Sequence, residues 1–439
     1  MYSFMKSRVI HVMTIAVLVL FALAANASEE KKTTATKATQ TSSTCIACHA
    51  KLTPGVVADW KASQHSKKGI NCEVCHGAAH KTSTDADKAA VAGPDVCKEC
   101  HEKQVTQFMG GKHAMAFPSG FAIPSFHNVS GEMLEGGKGC GGCHKFGPKN
   151  PEQTALMKKG GSAEQSSTCD ACHTRHTFSK AEASQPQACM TCHQGPDHDT
   201  YQMYLSSKHG VRAMMKQAGV LPKGASAPTC QTCHMSEGNH AVKTAWGLFG
   251  VRAPLSDDPK WQADQVTILQ ALGALDLSGK PTPLFDALKS LDAFRSTKQD
   301  WQNERDKMVK ACTQCHTASY AKTELEKSDR LIRESDALLA EGIRVVADLY
   351  KDGVVEQPAG YSAAFPQLLT WKHAPNAAED KLFTMFLHHR PNMFLGAFHN
   401  NPEYPINFGL GNMQDDLNQI KNIAAELRRE KGQQAQLRK

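Results

Sequence analysis

The stretch Cys189-Met-Thr-Cys192-His193 contains a pattern that recurs through this chain: two cysteines separated by two residues, with a histidine directly after the second. The pattern occurs eight times and uses all 16 cysteines of the 439 residues. The other copies are Cys45, Cys48 and His49; Cys72, Cys75 and His76; Cys97, Cys100 and His101; Cys140, Cys143 and His144; Cys169, Cys172 and His173; Cys230, Cys233 and His234; and Cys312, Cys315 and His316. No cysteine is left over for other chemistry.

This pentapeptide is the attachment signal for c-type haem. The two thiols add across the vinyl groups of a haem to form thioethers, and the adjacent histidine reaches the iron as its proximal ligand. The motifs therefore predict eight covalently bound haem c groups, each held by two cysteines and one histidine.

Two other uses of paired cysteines are excluded by the histidines. An even cysteine count in an exported chain often indicates disulfides. With 21 histidines in 439 residues, the chance that all eight pairs are followed by histidine is on the order of 10⁻¹⁰. Zinc sites would need two pairs, or a pair and a distant histidine, at one ion, and would not require a histidine after every pair.

The N-terminus predicts export. Lys6 and Arg8 precede a short apolar run from Val12 to Ala25, and Ala25-Asn26-Ala27 is a small-residue cleavage site. We expect residues 1–27 to be a cleaved signal peptide and the mature protein to be periplasmic. The apolar run is shorter than the ~20 residues of a spanning helix; an uncleaved N-terminal anchor is the alternative.

The charge balance changes once haem is included. The formal net charge of +7 becomes +5 when residues 1–27 are removed, because Lys6 and Arg8 are lost. Each ferric haem with two propionates adds about −1 and each ferrous haem about −2, so the loaded protein carries roughly −3 when oxidised and −11 when reduced. The excess of Lys and Arg therefore does not indicate a nucleic-acid partner.

The predicted fold class is mainly α: a multihaem cytochrome c array of loops and short helices, followed by a C-terminal bundle of long helices. Hydrophobic residues are 41% and aromatic residues 7%, so haem faces are expected to replace much of the apolar core. The predicted divisions are a flexible leader over 28–44, a haem-binding domain over 45–245 with seven motifs, a connection over 246–322 with the eighth motif, and a helical domain over 323–439.

Three helices are predicted in that last domain. Apolar residues from Leu331 to Leu349 recur at steps of three and four, which indicates a helix from about Thr323 to Asp352 ended by Gly353. Further helices are expected near Ala378 to Leu387 and from Met413 to Arg429 or beyond.

Histidines outside the motifs are candidates for the sixth ligand of each iron, because neutral imidazole is a common ligand of electron-transfer haems. The preferred candidates lie within tens of residues of motifs: His65, His80, His113, His176, His209 and His240. The others considered are His127, His198, His373, His388, His389 and His399. A haem with two histidine ligands moves electrons, whereas a haem with a vacant face can bind a small substrate.

Three longer elements narrow the interpretation. They are Cys189-Met-Thr-Cys-His-Gln-Gly-Pro-Asp-His198, Ser206-Ser-Lys-His-Gly210, and His399-Asn-Asn-Pro-Glu-Tyr404. With the eight motifs, they resemble the octahaem hydroxylamine oxidoreductase family over nearly the whole mature chain. Octahaem tetrathionate, sulfite and nitrite reductases share the motif number alone. No motif ends in Lys, so the lysine-ligated haem of pentahaem nitrite reductases is absent.

The resemblance implies a homotrimer with one catalytic haem. That haem is the fourth, attached at Cys140 and Cys143 with His144 below the iron, and it has no distal protein ligand. Asp197 and His198 match the acid/base pair above it. Turnover of hydroxylamine or nitrite needs protons as well as electrons, which His198 can exchange near neutral pH. The other interpretation is a simple turn in which His198 is a sixth ligand.

The direction of the reaction depends on a tyrosine. In oxidising members of the family, a C-terminal tyrosine of a neighbouring subunit is bonded to the catalytic haem, and reductive relatives lack this bond. Tyr404 lies in the appropriate region, but Phe408 also does, and Tyr404 can equally cap a turn beside Pro405. The short chain favours a reductase without the cross-link.

The sequence therefore predicts a periplasmic oxidoreductase acting on hydroxylamine and/or nitrite by multi-electron transfer at an open haem. A small c-type cytochrome or a membrane quinol-oxidising cytochrome is the expected redox partner. Hydroxylamine or hydrazine oxidation, a pure electron-transfer cytochrome, and action on sulfur oxyanions remain alternatives.

Overall fold

A computed structural model describes most of the chain outside the N-terminus. The described residues are 44–90, 92–121, 140–144, 169–195, 197–247, 249–370 and 373–437. The predicted signal peptide and His127 lie outside them. The described residues divide into two units: one within Met1–Val96 together with His173–Lys180, the other within Cys97–Cys172 and Ala181–Lys439.

The predicted fold class is confirmed. Within the described residues, the one pairing of extended backbone is an isolated bridge between Leu275 and Pro281. No helix there is both long and apolar enough to cross a membrane.

Some of the haem motifs form short helices of their own. Three of them are Cys72–His76, Cys140–His144 and Cys230–His234. In a helix, the first cysteine, the second cysteine and the histidine at steps of three and four lie on one face. Local caps fix this turn: Asn71 accepts from the backbone N–H of Val74 at 3.2 Å.

Other helices lie around or between the motifs. Four of them are α1 (Pro54–Ala62), α2 (Pro94–Met109, which contains the third motif), α3 (Thr200–Leu205) and α4 (Lys208–Gln217). Shorter helices are Gln64–Lys67, Ala116–Phe121, Lys180–Ala183 and Gln187–Met190, with 3₁₀ turns at Ala86–Lys88, His113–Met115, Cys169–Ala171 and Ser236–Gly238. The first motif lies in a helix over 44–52. The backbone of α2 leaves helical geometry at His101, the last residue of its motif.

The array has little apolar core of its own. Among the described residues before 245, the buried hydrophobic side chains are Val57, Val105, Ala114, Phe117, Tyr201, Met203 and Tyr204. The remaining buried hydrophobic residues all belong to the segment from Ala245 onward. This distribution fits a fold in which haem faces supply the apolar surface of the array.

The C-terminal half is a bundle of long helices. They are α5 (Pro259–Ala271), α6 (Pro283–Ser290), α7 (Lys298–Cys312), α8 (Ala318–Lys351), α9 (Ala377–Thr384), α10 (Arg390–Phe398) and α11 (Asn412–Leu437). The eighth motif closes α7 and directly precedes α8. The predicted long helix is therefore confirmed as α8, and Gly353 follows it with φ +61°.

Buried apolar side chains of α8 form the centre of this bundle. Ile332, Leu339, Ile343, Val346 and Leu349 are all fully buried. A buried ion pair also holds α8, because Arg390 donates to Asp336 from Nε at 3.0 Å and from Nη2 at 2.6 Å. Two π-helical segments, Met385–His389 and Tyr404–Gly411, flank α10.

Candidate haem array and open-haem site

Five motif histidines each face a histidine from outside the motifs. The ring centres are 6.0 Å apart for His49 and His80, 6.0 Å for His76 and His176, 6.1 Å for His193 and His113, 6.1 Å for His316 and His209, and 6.3 Å for His234 and His399. Every pair thus joins one proximal histidine to one candidate for the sixth position.

These separations suit one metal ion between two rings. Imidazole nitrogen binds a transition metal at about 2 Å and lies about 1 Å from its ring centre, so two rings on one iron are roughly 6 Å apart. Ordinary aromatic contacts also fall in this range. All five pairs, however, join a motif histidine to a histidine outside the motifs. This regularity is why we interpret them as ligand pairs for haem iron.

Hydrogen bonds orient the rings for this role. Nδ1 of His49 contacts Oγ1 of Thr53 at 2.9 Å, and Nδ1 of His76 contacts the Ala90 carbonyl at 2.9 Å. Nδ1 of His399 likewise contacts the Leu395 carbonyl at 2.7 Å. A partner on Nδ1 fixes the ring and leaves Nε2 as the nitrogen for the metal, as second-shell groups do in metal sites.

Burial keeps several of these rings neutral. It lowers the pKa of His234 to about 4. For His193, burial and the neighbouring imidazoles lower the pKa to about 3. Burial also lowers the pKa of His113. Because only the unprotonated nitrogen binds iron, these shifts favour ligation.

The attachment sites of neighbouring motifs are close together. Sγ atoms of Cys189 and Cys230 are hydrogen-bonded to each other, and Nε2 of Gln231 lies 3.8 Å from Sγ of Cys189. Sγ of Cys143 lies 3.6 Å from the Thr191 carbonyl oxygen. These sulfurs are the thioether sulfurs of the loaded protein. The fourth, sixth and seventh motifs therefore meet, which suits electron transfer from haem to haem.

His144 belongs to a distinct cluster. Its ring donates to the Ala116 carbonyl, and burial lowers its pKa. The charges of His198 and Asp197 also act on this ring, which places the predicted acid/base pair near the fourth haem site.

Asp197 and His198 form a half-buried ion pair. Nδ1 of His198 lies 2.6 Å from Oδ1 of Asp197, and their side chains are 15% and 17% exposed. Burial alone would lower the pKa of His198, but the hydrogen bond and charge of Asp197 outweigh it and raise that pKa. Burial opposes ionisation of Asp197, yet His198 holds the pKa of Asp197 below its usual value. The imidazole therefore keeps its proton to higher pH than an unpaired histidine.

The second nitrogen of His198 is also occupied. Nε2 lies 2.8 Å from the Cys192 carbonyl oxygen, so the ring has no nitrogen left for iron. His198 contacts the His193 ring at 5.7 Å between centres. His113 is therefore the better candidate for the sixth position opposite His193.

Glycine at 195 allows this arrangement. A Cβ at Gly195 would lie 2.8 Å from Cε1 of His198 and 3.1 Å from Oδ1 of Asp197. Both distances are too short for ordinary side-chain contact. The Gly-Pro-Asp-His element is thus a turn shaped around the ion pair.

Tyr404 extends the same cluster. Its hydroxyl donates to Oδ2 of Asp199 at 2.7 Å, and its ring packs on Phe408 at 5.2 Å between centres. Burial, together with Asp199, raises the pKa of Tyr404. Asn401 fixes the segment by accepting from the backbone N–H of Tyr404 at 3.3 Å.

Comparison with known proteins agrees with the motifs. The family described as "Seven times multi-haem cytochrome CxxCH" matches residues 159–253 and 291–360. The family described as "Cytochrome c554 and c-prime" matches residues 18–77 and 96–174. Over these ranges the chain is similar to multihaem c-type cytochromes. The matches therefore indicate covalently bound haem c.

Relatives of this cytochrome confirm the resemblance to hydroxylamine oxidoreductases. One is a probable nitrite reductase-hydroxylamine oxidoreductase fusion protein of Kuenenia stuttgartiensis, 27% identical over 374 residues. That match covers 73% of this chain but 39% of the relative, so the cytochrome spans about two fifths of the relative's length. The chain is thus similar to part of a protein named as an oxidoreductase.

Solved structures share the fold. A reducing HAO-like protein complex of Kuenenia stuttgartiensis matches with a TM-score of 0.66 at 22% identity, over 91% of this chain and 87% of the other. A hypothetical multiheme protein matches with a TM-score of 0.64 at 20% identity, over 90% and 96%.

Several predicted site residues of the cytochrome are brought together. His80, His113, His176 and His209 each face a motif histidine, and they remain predictions as ligands. His65 packs against Phe178 at 5.2 Å between ring centres. Nδ1 of His240 contacts the Gly238 carbonyl at 2.9 Å. His65 and His240 also remain predicted ligands.

Two residues of the cytochrome were given less weight by the sequence than the structure gives them. His399 was not among the preferred ligands because it lies 165 positions after His234 (399 − 234), and nearness in sequence was the criterion. Asp199 follows the Gly-Pro-Asp-His element directly, but no sequence signal linked it to Tyr404.

Proposed function

We propose that this cytochrome is a periplasmic octahaem oxidoreductase that reduces hydroxylamine and/or nitrite toward ammonia at one open haem. The observation that carries the proposal is the Asp197–His198 ion pair beside His144. Its imidazole is held by two hydrogen bonds, at 2.6 Å and 2.8 Å, which occupy both ring nitrogens and support a role in proton supply over iron ligation.

We propose eight haems, of which seven have a histidine on both sides of the iron. Two of those seven pairings are assigned from histidines outside the five pairs described above. Five pairs have the separation that one iron needs. We assign His240 to His101, because the backbone N–H of His240 donates to Gln107 in the helix that contains His101. We assign His65 to His173, which lies in the same structural unit. His144 is then the motif histidine of the open haem.

A haem bound at His144 would supply electrons and a place for the substrate nitrogen. The chain's own residues handle protons. Reduction of hydroxylamine to ammonia and water consumes two protons and two electrons. Protonated His198 would donate from Nε2, exchanging its hydrogen bond to the Cys192 carbonyl for one to the substrate. Asp197 keeps the ring oriented through Nδ1, and its charge favours return of a proton from solvent after each donation.

Tyr404 supports the reductive direction. Its hydroxyl proton is committed to Asp199 of the same chain at 2.7 Å. A tyrosine that bonds to a neighbour's haem must instead direct its oxygen out of its own subunit. We therefore propose that Tyr404 orients Asp199 and forms no cross-link.

Partners and location follow the resemblance. We propose a homotrimer, with electrons arriving from a c-type cytochrome or a membrane quinol-oxidising cytochrome. Export through the N-terminal signal would place the protein in the periplasm, where haem is attached to such motifs. Fractionation of cells that express the full chain tests this location directly.

The decisive experiment combines turnover with spectroscopy. Purified holoprotein should reduce hydroxylamine and nitrite with reduced methyl viologen as donor. His198→Ala should lower kcat/KM by about 10² to 10⁴ while leaving every haem attached and the ligation spectrum unchanged. A new high-spin haem in this variant would make His198 an iron ligand. No turnover and no spectral response to either substrate would favour a pure electron carrier.

A further inference from the structure

One surface of α4 combines positive charge with exposed apolar side chains. No acidic residue occurs between Asp199 and Glu237 in the sequence. Four cationic residues in this interval, Lys208, Arg212, Lys216 and Lys223, are exposed. Among them, Val211, Met214, Met215 and Val220 are 40%, 43%, 40% and 64% exposed. These eight residues, six in α4 and two in the segment just after it, are called the α4 face.

A groove runs beside this face. Its volume is about 340 Å³, and Met214 and Lys216 are among the residues that line it. Pro186 and Gln187, just before Cys189, and Thr229, just before Cys230, line it as well. A partner's side chain can therefore enter next to two haem attachment sites. Methionine side chains adapt readily to such contacts.

The helix that carries the α4 face also carries a proposed iron ligand. His209 is in α4 and faces His316 with 6.1 Å between ring centres. The helix is firmly placed, because Oγ of Ser207 accepts from the backbone N–H of Gly210 at 3.2 Å. Gly210 packs so closely that a Cβ would lie 2.0 Å from the Tyr204 carbonyl oxygen. Electrons that reach this surface thus have a short, rigid route to the haem array.

We propose that the α4 face is the docking surface for an acidic electron-transfer protein whose cofactor edge is surrounded by carboxylates. Opposite charges would steer the partner to this face, and the apolar centre would form the contact. Each encounter oxidises the partner's cofactor by one electron and reduces one ferric haem, with no bond formed or broken. The assignment goes beyond the proposed substrate and does not depend on it.

The positive charge of the α4 face, together with the groove, favours an acidic redox protein over two other possible partners. A second copy docked by two-fold symmetry would bring the same cations together. An anionic lipid surface would match the charge but would leave the groove and the nearby haem sites without a role. An acidic redox protein uses the charge, the groove and the haem sites.

The test measures haem reduction alone. Oxidised holoprotein is mixed with a reduced plant-type ferredoxin, an acidic donor, in a stopped-flow instrument at low and high salt. The patch variant carries Lys208→Glu and Lys223→Glu. The matched control carries Lys260→Glu and Lys351→Glu, which make the same charge change at exposed positions of α5 and α8. Haem content and the rate of reduction by dithionite establish that both variants are intact.

The patch variant should lose about tenfold or more of the low-salt rate constant, the control less than about twofold, and high salt should remove the difference. Equal effects in both variants would overturn the proposal. It is also overturned if the patch variant loses binding to phosphatidylglycerol vesicles but keeps its ferredoxin rate, or if it loses self-association in sedimentation at an unchanged rate.

Discussion

Removal of the His399 imidazole should open a second haem. In the structure this ring faces His234 with 6.3 Å between centres, and Nδ1 is anchored to the Leu395 carbonyl at 2.7 Å. His399→Ala leaves the iron at His234 with one histidine, so that haem should become high-spin while its two thioether bonds persist. With seven paired irons, the low-spin bis-histidine signal should fall by about one seventh.

Near-infrared magnetic circular dichroism of the oxidised holoprotein measures that signal directly. Added imidazole should restore the missing intensity, because the vacated space accepts the free ring. The control is His373→Ala, which removes an exposed histidine and should change nothing. An unchanged spectrum of His399→Ala at full haem content would contradict the assignment of the 6 Å histidine pairs as iron ligands.

Further predictions concern proton supply, direction and stability. Asp197 raises the pKa of His198, so the imidazole keeps its proton to higher pH than an unpaired ring and loses it as pH rises through the raised pKa. Asp197→Asn removes the cause, so the alkaline fall of kcat/KM should move to lower pH. An unmoved fall would separate His198 from the limiting proton transfer. Tyr404→Phe should leave the peptide map and haem spectrum unchanged, since we propose no cross-link; a tyrosine-bonded haem peptide in the wild type would contradict this. Arg390→Met leaves Asp336 buried without its partner and should cost about 3 to 5 kcal/mol in the free energy of unfolding, whereas Arg333→Met, at a half-exposed pair of 2.6 Å with Asp258, should cost less than about 1 kcal/mol. Denaturant titration of both variants compares these values.

Local patterns predicted much of this fold. The helix expected from Thr323 to Asp352 is α8, Ala318–Lys351, because its apolar residues repeat at the helical period. The helix expected from Met413 is α11, Asn412–Leu437. The cysteine motifs needed no tertiary information, since each is complete within five residues.

Interruptions of helices were harder to predict. A single helix near Ala378 to Leu387 was expected, but α9 is followed by the π-helical segment Met385–His389 and then by α10. Pro391 lies in the first turn of α10. A proline inside a continuous α-helix loses a hydrogen bond and clashes with the preceding turn, and the wider π-helical turn before it avoids this. No local residue pattern predicts such a π-helical turn.

Contacts between residues far apart in sequence were the hardest part of the site to predict. His80 lies 31 positions after His49 (80 − 49), and nearness in sequence suggested it. His399 is far from His234 in sequence and reaches it through the packing of the C-terminal bundle. The Asp197–His198 pair was expected from the family resemblance of the Gly-Pro-Asp-His element, whereas the contact of Tyr404 with Asp199 depends on how α10 and the following π-helical segment pack.

The ligation state of the wild-type irons tests the central claim most directly. Resonance Raman spectra of the oxidised holoprotein should contain the marker bands of one five-coordinate high-spin haem beside low-spin haems, and nitrite or hydroxylamine should convert that haem alone. Spectra in which every haem is six-coordinate and low-spin, with no response to either compound, would contradict the open site at His144.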